Sequence, residues 1–217
     1  MTSWIALQLA DSAFPIGGFA HSSGLEAMVA ARELDSLEAF CRALIDQQAR
    51  GGLPLVGAVW DAPARLAELD ARARAMLWSH VAARASRAQG RALLDVAARA
   101  SGDAALAGAR ERCVRGELDG HLAPAFGFAT RALGVARDDA LAAFLHVALR
   151  SALSAAVRLG VVGPTEAQAL HLRLHAALAA GLAAGAALGA DDAAQTAPLL
   201  ELFQATHDQL YSRLFQS

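Results

Sequence analysis

The chain of 217 residues contains no lysine, and all 19 of its Lys-or-Arg side chains are arginine. A phosphate-binding P-loop requires a lysine beside its glycines. A pyridoxal Schiff base and the phosphate-binding site of a protein kinase also depend on a lysine amine. The absence of lysine therefore excludes these three kinds of site.

Cysteine and net charge are also low. Cys41 and Cys113 are far apart in the sequence and form neither a C-x-x-C pair nor a disulfide framework. Because the first residues lack a basic leader, we expect no signal peptide and a reducing, cytoplasmic location. A formal net charge of −2 is too small to attract a polyanion, so neither nucleic acid nor a membrane surface is an expected partner.

Helix-forming residues dominate the composition, whereas β-branched and aromatic residues are sparse. We therefore predict an all-α fold, with residues 1–217 forming one compact domain of about ten helices wrapped around a central apolar helix. The predicted helices are 4–10, 21–32, 36–50, 53–61, 63–78, 80–100, 105–115, 122–133, 139–159, 166–188 and 198–214. Asp35 with Glu38, and Thr165 with Gln168, resemble capping boxes.

Two apolar segments have distinct predicted environments. Residues 139–159 are apolar nearly all round, which is typical of a helix at the centre of a bundle. Residues 174–190 contain His175 but no Asp, Glu, Lys or Arg, and Gly181, Gly185 and Gly189 recur every four residues. A membrane span would need a longer and less alanine-rich segment, so we predict a buried helix whose glycines admit a close neighbour.

The segment 14–26 is the most distinctive part of the chain. Pro15 and the pair Gly17 and Gly18 predict a sharp turn before a helix. A serine nucleophile elbow is not indicated, since residues 20–24 lack the first glycine of that motif and follow no predicted strand.

Arg84, Arg87 and Arg91 share one helix face at positions i, i+3 and i+7. This pattern fits a solvated arginine face as well as a partner site. Gly90 lies beside them in a good helix, where glycine costs about 1 kcal/mol relative to alanine. We therefore predict that a backbone or a partner approaches closely at Gly90.

The histidines suggest no complete metal site or triad. His171 and His175 could offer two nitrogens from one helix face, but no Cys, Asp or Glu nearby completes the set, so we interpret them as ordinary histidines. His207 and Asp208 lack a serine or cysteine in an exposed turn, which favours a hydrogen-bonded helix end.

Five segments together resemble the urease accessory protein UreF family, in the same order along the chain. They are residues 14–26 (FPIGGFAHSSGLE), 86–94 (SRAQGRALL), 120–127 (GHLAPAFG), 154–159 (SAAVRL), and His207 with 210–215 (LYSRLF). Two positions depart from the family pattern: residues 161–164 replace a frequent Pro-Leu-Gly-Gln run, and Gln216 stands where an arginine is usual.

The resemblance implies a non-catalytic, all-α accessory protein, typically a homodimer, with no cofactor of its own. It would bridge a UreD-type (also called UreH) accessory protein and a UreG-type GTPase during nickel insertion into urease apoprotein. In this interpretation, the loop at 19–26 and the segment 207–217 contact partners. The residues that we predict at partner interfaces are Phe19, His21, Ser23, Glu26, Arg87, Gln89, Tyr211 and Arg213.

A second interpretation is a helical bundle that binds a small molecule. In that case His21, Ser22 and Glu26 would form a polar pocket.

Overall fold

The computed structural model describes residues 4–217 and contains only helices and turns over that range. This confirms the all-α prediction. The helices are α1 (Trp4–Ala10), α2 (Leu25–Ala31), α3 (Leu37–Gln47), α4 (Leu53–Asp61), α5 (Leu66–Met76), α6 (His80–Ser101), α7 (Ala104–Val114), α8 (Leu122–Ala132), α9 (Arg137–Arg158), α10 (Pro164–Arg173), α11 (His175–Ala186) and α12 (Pro198–Thr206). Short 3-10 turns at Gly18–Ala20, Pro63–Arg65, Ala190–Asp192 and His207–Gln209, and a π turn at Gln48–Gly52, join some of them.

The helix α9 lies at the centre of the molecule, as its apolar sequence predicts. It packs against α1, α3, α4, α10 and α11. Its length and hydropathy would suit a membrane span, but 61% of its most apolar window is buried inside the protein. Burial by neighbouring helices is the usual environment of a core helix with this composition.

Two hydrophobic clusters form the core, and α9 contributes to both. Leu141 and Phe144 belong to the larger cluster, which also contains Phe126 of α8. Leu149 and Leu153, further along α9, belong to the smaller one. The central helix thereby joins the two halves of the core.

Small residues allow close contacts between helices. A Cβ atom at Gly90 would collide with the backbone carbonyl of Gly120, which confirms the close approach predicted at this position. In α11, a Cβ atom at Gly185 would likewise collide with the carbonyl of Ala49. The glycines in residues 174–190 therefore admit a neighbour as predicted, but the prediction of a buried helix is wrong, because Gly185 alone in α11 is buried.

Several predicted helices are shorter or broken in the structure. The segment 21–32 becomes helical only at Leu25, because Ser23 (φ 55°) and Gly24 (φ 91°) adopt left-handed backbone conformations. The segment 166–188 bends by 49° between α10 and α11. The segment 198–214 ends its α-helix at Thr206, for a reason given below.

Both predicted capping boxes are wrong. Ser36, one residue after Asp35, caps α3 by accepting a hydrogen bond from the backbone N–H of Ala39 at 3.3 Å. The helix α10 begins after Gly163, and its first residue is Pro164, which has no N–H to cap.

Candidate functional site

The loop at residues 14–26 and the tail at residues 207–217 pack against each other, and we call this region the loop–tail junction. Gly17 (φ 74°) provides the left-handed turn that precedes the short helix Gly18–Ala20. Gly24 provides a second turn directly before α2. A Cβ atom at Gly24 would lie 3.0 Å from the carbonyl oxygen of Leu200, so α12 fits closely over this turn.

The loop and the tail are joined by main-chain and side-chain hydrogen bonds. Ser22 donates to the carbonyl oxygen of Ser217 from its backbone N–H at 2.5 Å and from its hydroxyl at 3.0 Å. His21 Nδ1 lies 2.5 Å from Ser217 Oγ. The N–H of Gln216 donates to the Ala20 carbonyl oxygen at 2.8 Å. The side chain of Gln216 is exposed, so its departure from the family pattern leaves these bonds intact.

Glu26 holds the tail from inside the molecule. Its side chain is buried and accepts a hydrogen bond from the N–H of Leu214 at 2.6 Å and a longer one from the N–H of Phe215 at 3.3 Å. His207 Nε2 lies 2.7 Å from the second carboxylate oxygen. These bonds lead the chain away from a helical path, which explains why α12 ends at Thr206.

Arg158, near the end of α9, supports both halves of the junction. Its Nη1 donates to the carbonyl oxygen of Phe19 at 2.5 Å. Its guanidinium carbon lies 4.4 Å from the ring centroid of Phe215, within the range of a cation–π contact. The central helix thus anchors the loop and the tail to the core.

Asp208 is a second anchor for the tail. Arg84 donates two hydrogen bonds to its carboxylate, at 2.8 and 3.0 Å, and Arg213 donates another at 3.0 Å. His80 Nε2 lies 3.2 Å from the same group. The hydrogen bond from Arg84, together with the positive charge of that arginine, lowers the pKa of Asp208 to about 2. Arg84 therefore holds the tail and does not belong to a merely solvated arginine face.

A second polar centre lies where α6 meets the turn before α8. The buried carboxylate of Asp70 accepts hydrogen bonds from the N–H groups of Asp119 (2.6 Å), Gly120 (3.1 Å) and His121 (2.7 Å). His121 is fully buried, its Nδ1 lies 3.2 Å from Ser86 Oγ, and burial lowers its pKa. This centre fixes the turn against Gly90 and explains the matched segments 86–94 and 120–127 in structural terms.

The eight predicted interface residues fall into three groups. His21 and Glu26 are buried and engage the tail, so a partner could reach them only if the tail moved. Ser23, Arg87 and Gln89 are half-buried. Phe19 is 65% exposed, Tyr211 is fully exposed, and Arg213 is also exposed.

The exposed members, together with Leu214, give the loop–tail junction an apolar outer face. Leu214 is 60% exposed although its neighbour Phe215 is buried. Sequence reasoning did not identify Glu26 as the residue that holds the tail, nor the supporting roles of Arg158 and Asp208. Glu26 lies in the matched segment 14–26 and Arg158 in the matched segment 154–159, whereas Asp208 lies outside the matched positions.

A cavity of about 170 Å³ lies behind the loop. Its polar lining includes His21, Ser23, Gln89 and Glu201. Glu201 is buried and accepts hydrogen bonds from Trp78 Nε1 and from Gln47 Nε2, the latter at 3.1 Å. Burial raises the pKa of this carboxyl.

Hydrogen bonds of the junction join buried groups of the loop to buried groups of the tail. Burial, and to a smaller extent the neighbouring Arg84, lowers the pKa of His21 to about 4, so its ring is neutral at pH 7. Its neighbour Ser217 is fully buried, and its Oγ lies 2.5 Å from His21 Nδ1. Within residues 4–217, no three His, Cys, Asp or Glu side chains converge as metal ligands.

The imidazole rings of three histidines, one each from α9, α10 and α11, pack against one another. The centroids of His146 and His171 are 5.2 Å apart, and those of His171 and His175 are 5.3 Å apart, both in edge-to-face geometry. The spacing predicted from the sequence therefore brings His171 and His175 together, with His146 as an additional neighbour.

Comparison with known proteins identifies the family. The family model described as UreF matches residues 31–175, about two thirds of the chain. Urease accessory protein F of Arabidopsis thaliana is 36% identical over 228 residues, covering 99% of this chain and 92% of that protein. Urease accessory protein F of Oryza sativa subsp. indica is 33% identical, covering 98% and 84%. Urease accessory protein UreF of Arthrobacter sp. is 32% identical, covering 97% and 95%.

The alignments to these relatives cover 97–99% of the chain, more than the family model does. The matched length and the level of identity agree with the five segments recognised in the sequence. The chain belongs to the UreF family of urease accessory proteins.

Proposed function

We propose that this chain is a non-catalytic adaptor in urease maturation. It would bridge a UreD/UreH-type accessory protein and a UreG-type GTPase and so assist nickel insertion into urease apoprotein. The relatives are urease accessory proteins by name, which supports a role beside urease. A cytoplasmic location and a homodimeric state belong to the same proposal.

The observation that carries the proposal is the outer face of the loop–tail junction. Phe19, Tyr211 and Leu214 are exposed there, and aromatic side chains such as Phe and Tyr are enriched at the cores of protein interfaces. Beneath them, Glu26 and Arg158 fix the backbone through buried or short hydrogen bonds. A rigid base under exposed anchors lowers the entropy cost of binding a partner.

Co-purification with the UreD/UreH-type protein and with the UreG-type GTPase tests this role. We expect Phe19→Ala to weaken GTPase recruitment and Tyr211→Ala to weaken retention of the UreD/UreH-type protein, with the melting temperature unchanged in both. Val114→Ala is a matched control, because Val114 is 77% exposed on α7. Full retention of both partners by the Phe19 and Tyr211 variants would contradict the proposed face.

A second candidate function is the binding of a small molecule, and the cavity behind the loop favours it. Of the three residues suggested for such a pocket, His21 lines the cavity, whereas Ser22 and Glu26 bind the tail instead. Native mass spectrometry of the purified chain distinguishes the two functions. A constant extra mass that Gln89→Leu abolishes would favour the ligand-binding bundle, and retained partner proteins without such a mass would favour the adaptor.

The proposal also concerns the isolated chain. We expect neither GTP hydrolysis nor tight nickel binding, since no lysine is present for a P-loop. Phosphate release above the buffer rate, or submicromolar nickel binding by titration calorimetry, would assign the chain an activity of its own.

A further inference from the structure

An open groove of about 390 Å³ lies between α2, α3 and the start of α12, and we call it the α2–α3 groove. Its floor and walls are apolar and include Met28, Leu34, Phe40, Ala43 and Leu199. Leu199 is 66% exposed on one wall. Exposed apolar surface in a concave site is typical of a place where another molecule binds.

Acidic side chains line this groove, and among residues 4–217 no basic side chain lines it. Glu33, Asp35 and Asp46 all face it. Asp46 is paired with Arg50 at 2.8 Å and also accepts from Thr196 Oγ1 at 3.0 Å. Within the described part of the chain, Glu33 and Asp35 form no ion pair, so their charges remain available.

The groove differs from the loop–tail junction in charge. The junction presents apolar side chains beside Arg213, whereas the groove combines apolar walls with unpaired carboxylates. Electrostatic complementarity favours a partner segment in which apolar side chains are flanked by arginine or lysine. An amphipathic helix laid in a groove is a common way to present such side chains.

We propose that the α2–α3 groove is a docking site for an amphipathic, basic helical segment of a protein partner. The apolar face of that helix lies on Met28, Leu34 and Leu199, and its flanking cations meet Glu33 and Asp35. This site is separate from the outer face of the loop–tail junction, so either site can fail without the other.

A synthetic peptide tests the proposal without any partner protein. The probe is a fluorescein-labelled 14-residue helix with leucines on one face and arginines on both flanks. A matched peptide carries glutamates in place of the arginines. Fluorescence anisotropy with the full chain measures affinity, and NMR amide shifts locate the bound peptide.

Two variants separate charge from shape. In Glu33→Arg/Asp35→Arg, we expect the affinity for the basic peptide to fall by about tenfold, since like charges would then face each other. In Ala39→Trp, an added ring at an exposed position of the groove should block the peptide without changing charge. Glu111→Arg/Glu117→Arg, on α7 and the turn after it, is the control for net charge.

The expected result is binding of the basic peptide alone, with amide shifts confined to residues 28–46 and 196–200. Equal binding of the glutamate peptide, equal loss in the control variant, or shifts centred on the loop–tail junction would overturn the proposal. Sedimentation velocity adds one further outcome. Self-association that disappears in Ala39→Trp would identify a second copy of this chain as the occupant and would also overturn it.

Discussion

At the scale of single residues, the contact between α6 and the turn before α8 depends on Gly90 having no side chain. The Gly120 carbonyl occupies the space that a Cβ atom would need. That carbonyl cannot move easily, because Asp70 holds the N–H groups of residues 119, 120 and 121. The conformational cost of a helical glycine is therefore offset by close packing at this point.

We predict that Gly90→Ala lowers the free energy of unfolding by about 1–3 kcal/mol, the usual cost of overpacking a fixed site. Urea denaturation followed by circular dichroism measures the change. Gly108→Ala is the matched control, because Gly108 is also helical and a Cβ atom there meets nothing within 4 Å. In this control, the free energy of unfolding should rise by up to about 1 kcal/mol, because alanine has a higher helix propensity than glycine. Equal effects of the two substitutions would contradict the packing argument.

Glu26 provides a second prediction at this scale. Glu26→Gln keeps the shape of the side chain but removes its charge, and one of its two acceptor oxygens becomes an NH₂ group. We expect the free energy of unfolding to fall by about 1–3 kcal/mol. Either a buried hydrogen bond to a charged group is lost, or the new NH₂ group faces the N–H of Leu214 or Phe215. Hydrogen exchange at the amides of Leu214 and Phe215 should become faster. Glu111→Gln, an exposed carboxylate on α7, should leave both amides protected as in the unmodified chain.

At the scale of elements, the sequence predicts the helices whose signals are local. The central position of α9 follows from its apolar surface, and the close approach at Gly90 follows from a glycine in a good helix. The end of α12 could not be predicted in this way. Residues 207–214 have helical spacing, but Glu26, distant in sequence, takes the amide of Leu214 and the ring of His207. Long-range hydrogen bonds override local propensity there.

In the candidate site, too, some features follow from the local sequence and others depend on contacts with distant segments. We predict Phe19 and Tyr211 at partner interfaces from the sequence, and the structure leaves both side chains exposed. The burial of Glu26 was not visible in the sequence, because a charged residue at the first turn of a helix is usually solvated. A buried carboxylate becomes stable only when donors arrive from a distant segment.

The tail itself should respond to acid through Asp208. The pKa of this carboxyl is lowered to about 2 in the folded protein, from an ordinary value of 3.8, chiefly by the hydrogen bond from Arg84. A lowered pKa means that the carboxylate contributes stability fully above pH 4 and loses it as the pH falls towards 2. Asp208→Asn should reproduce that loss at pH 7.

Amide exchange across residues 207–217 at pH 7 measures the predicted effect. The Asp208→Asn variant should exchange faster there, with α9 unchanged. Asp138→Asn, at the first turn of α9, removes a carboxylate of the same type and should leave the tail protected. A tail that stays equally protected in the Asp208 variant would show that Glu26 alone is sufficient to hold it.

At the scale of the whole molecule, burial of histidine couples the fold to pH. Burial lowers the pKa of His21, to about 4, and also lowers the pKa values of His121, His146 and His171. Their ordinary pKa is 6.5, so the unfolded chain binds more protons than the folded one below that pH. The free energy of unfolding should therefore decrease as the pH falls from about 6.5 towards 4.

Burial of Glu201 acts in the opposite direction, because its raised pKa favours the folded state as the pH falls. One carboxyl with a raised pKa opposes four histidines with lowered pKa values, so acidification should still lower the free energy of unfolding. Each unit of pKa difference corresponds to about 1.4 kcal/mol at full effect. Urea midpoints measured between pH 7.5 and 4.5 should decline throughout the lower half of this range. His21→Gln should flatten the decline, because it removes one of the histidines whose pKa is lowered in the folded protein. A midpoint that stays constant or rises on acidification would mean that these rings accept protons without a cost to the fold.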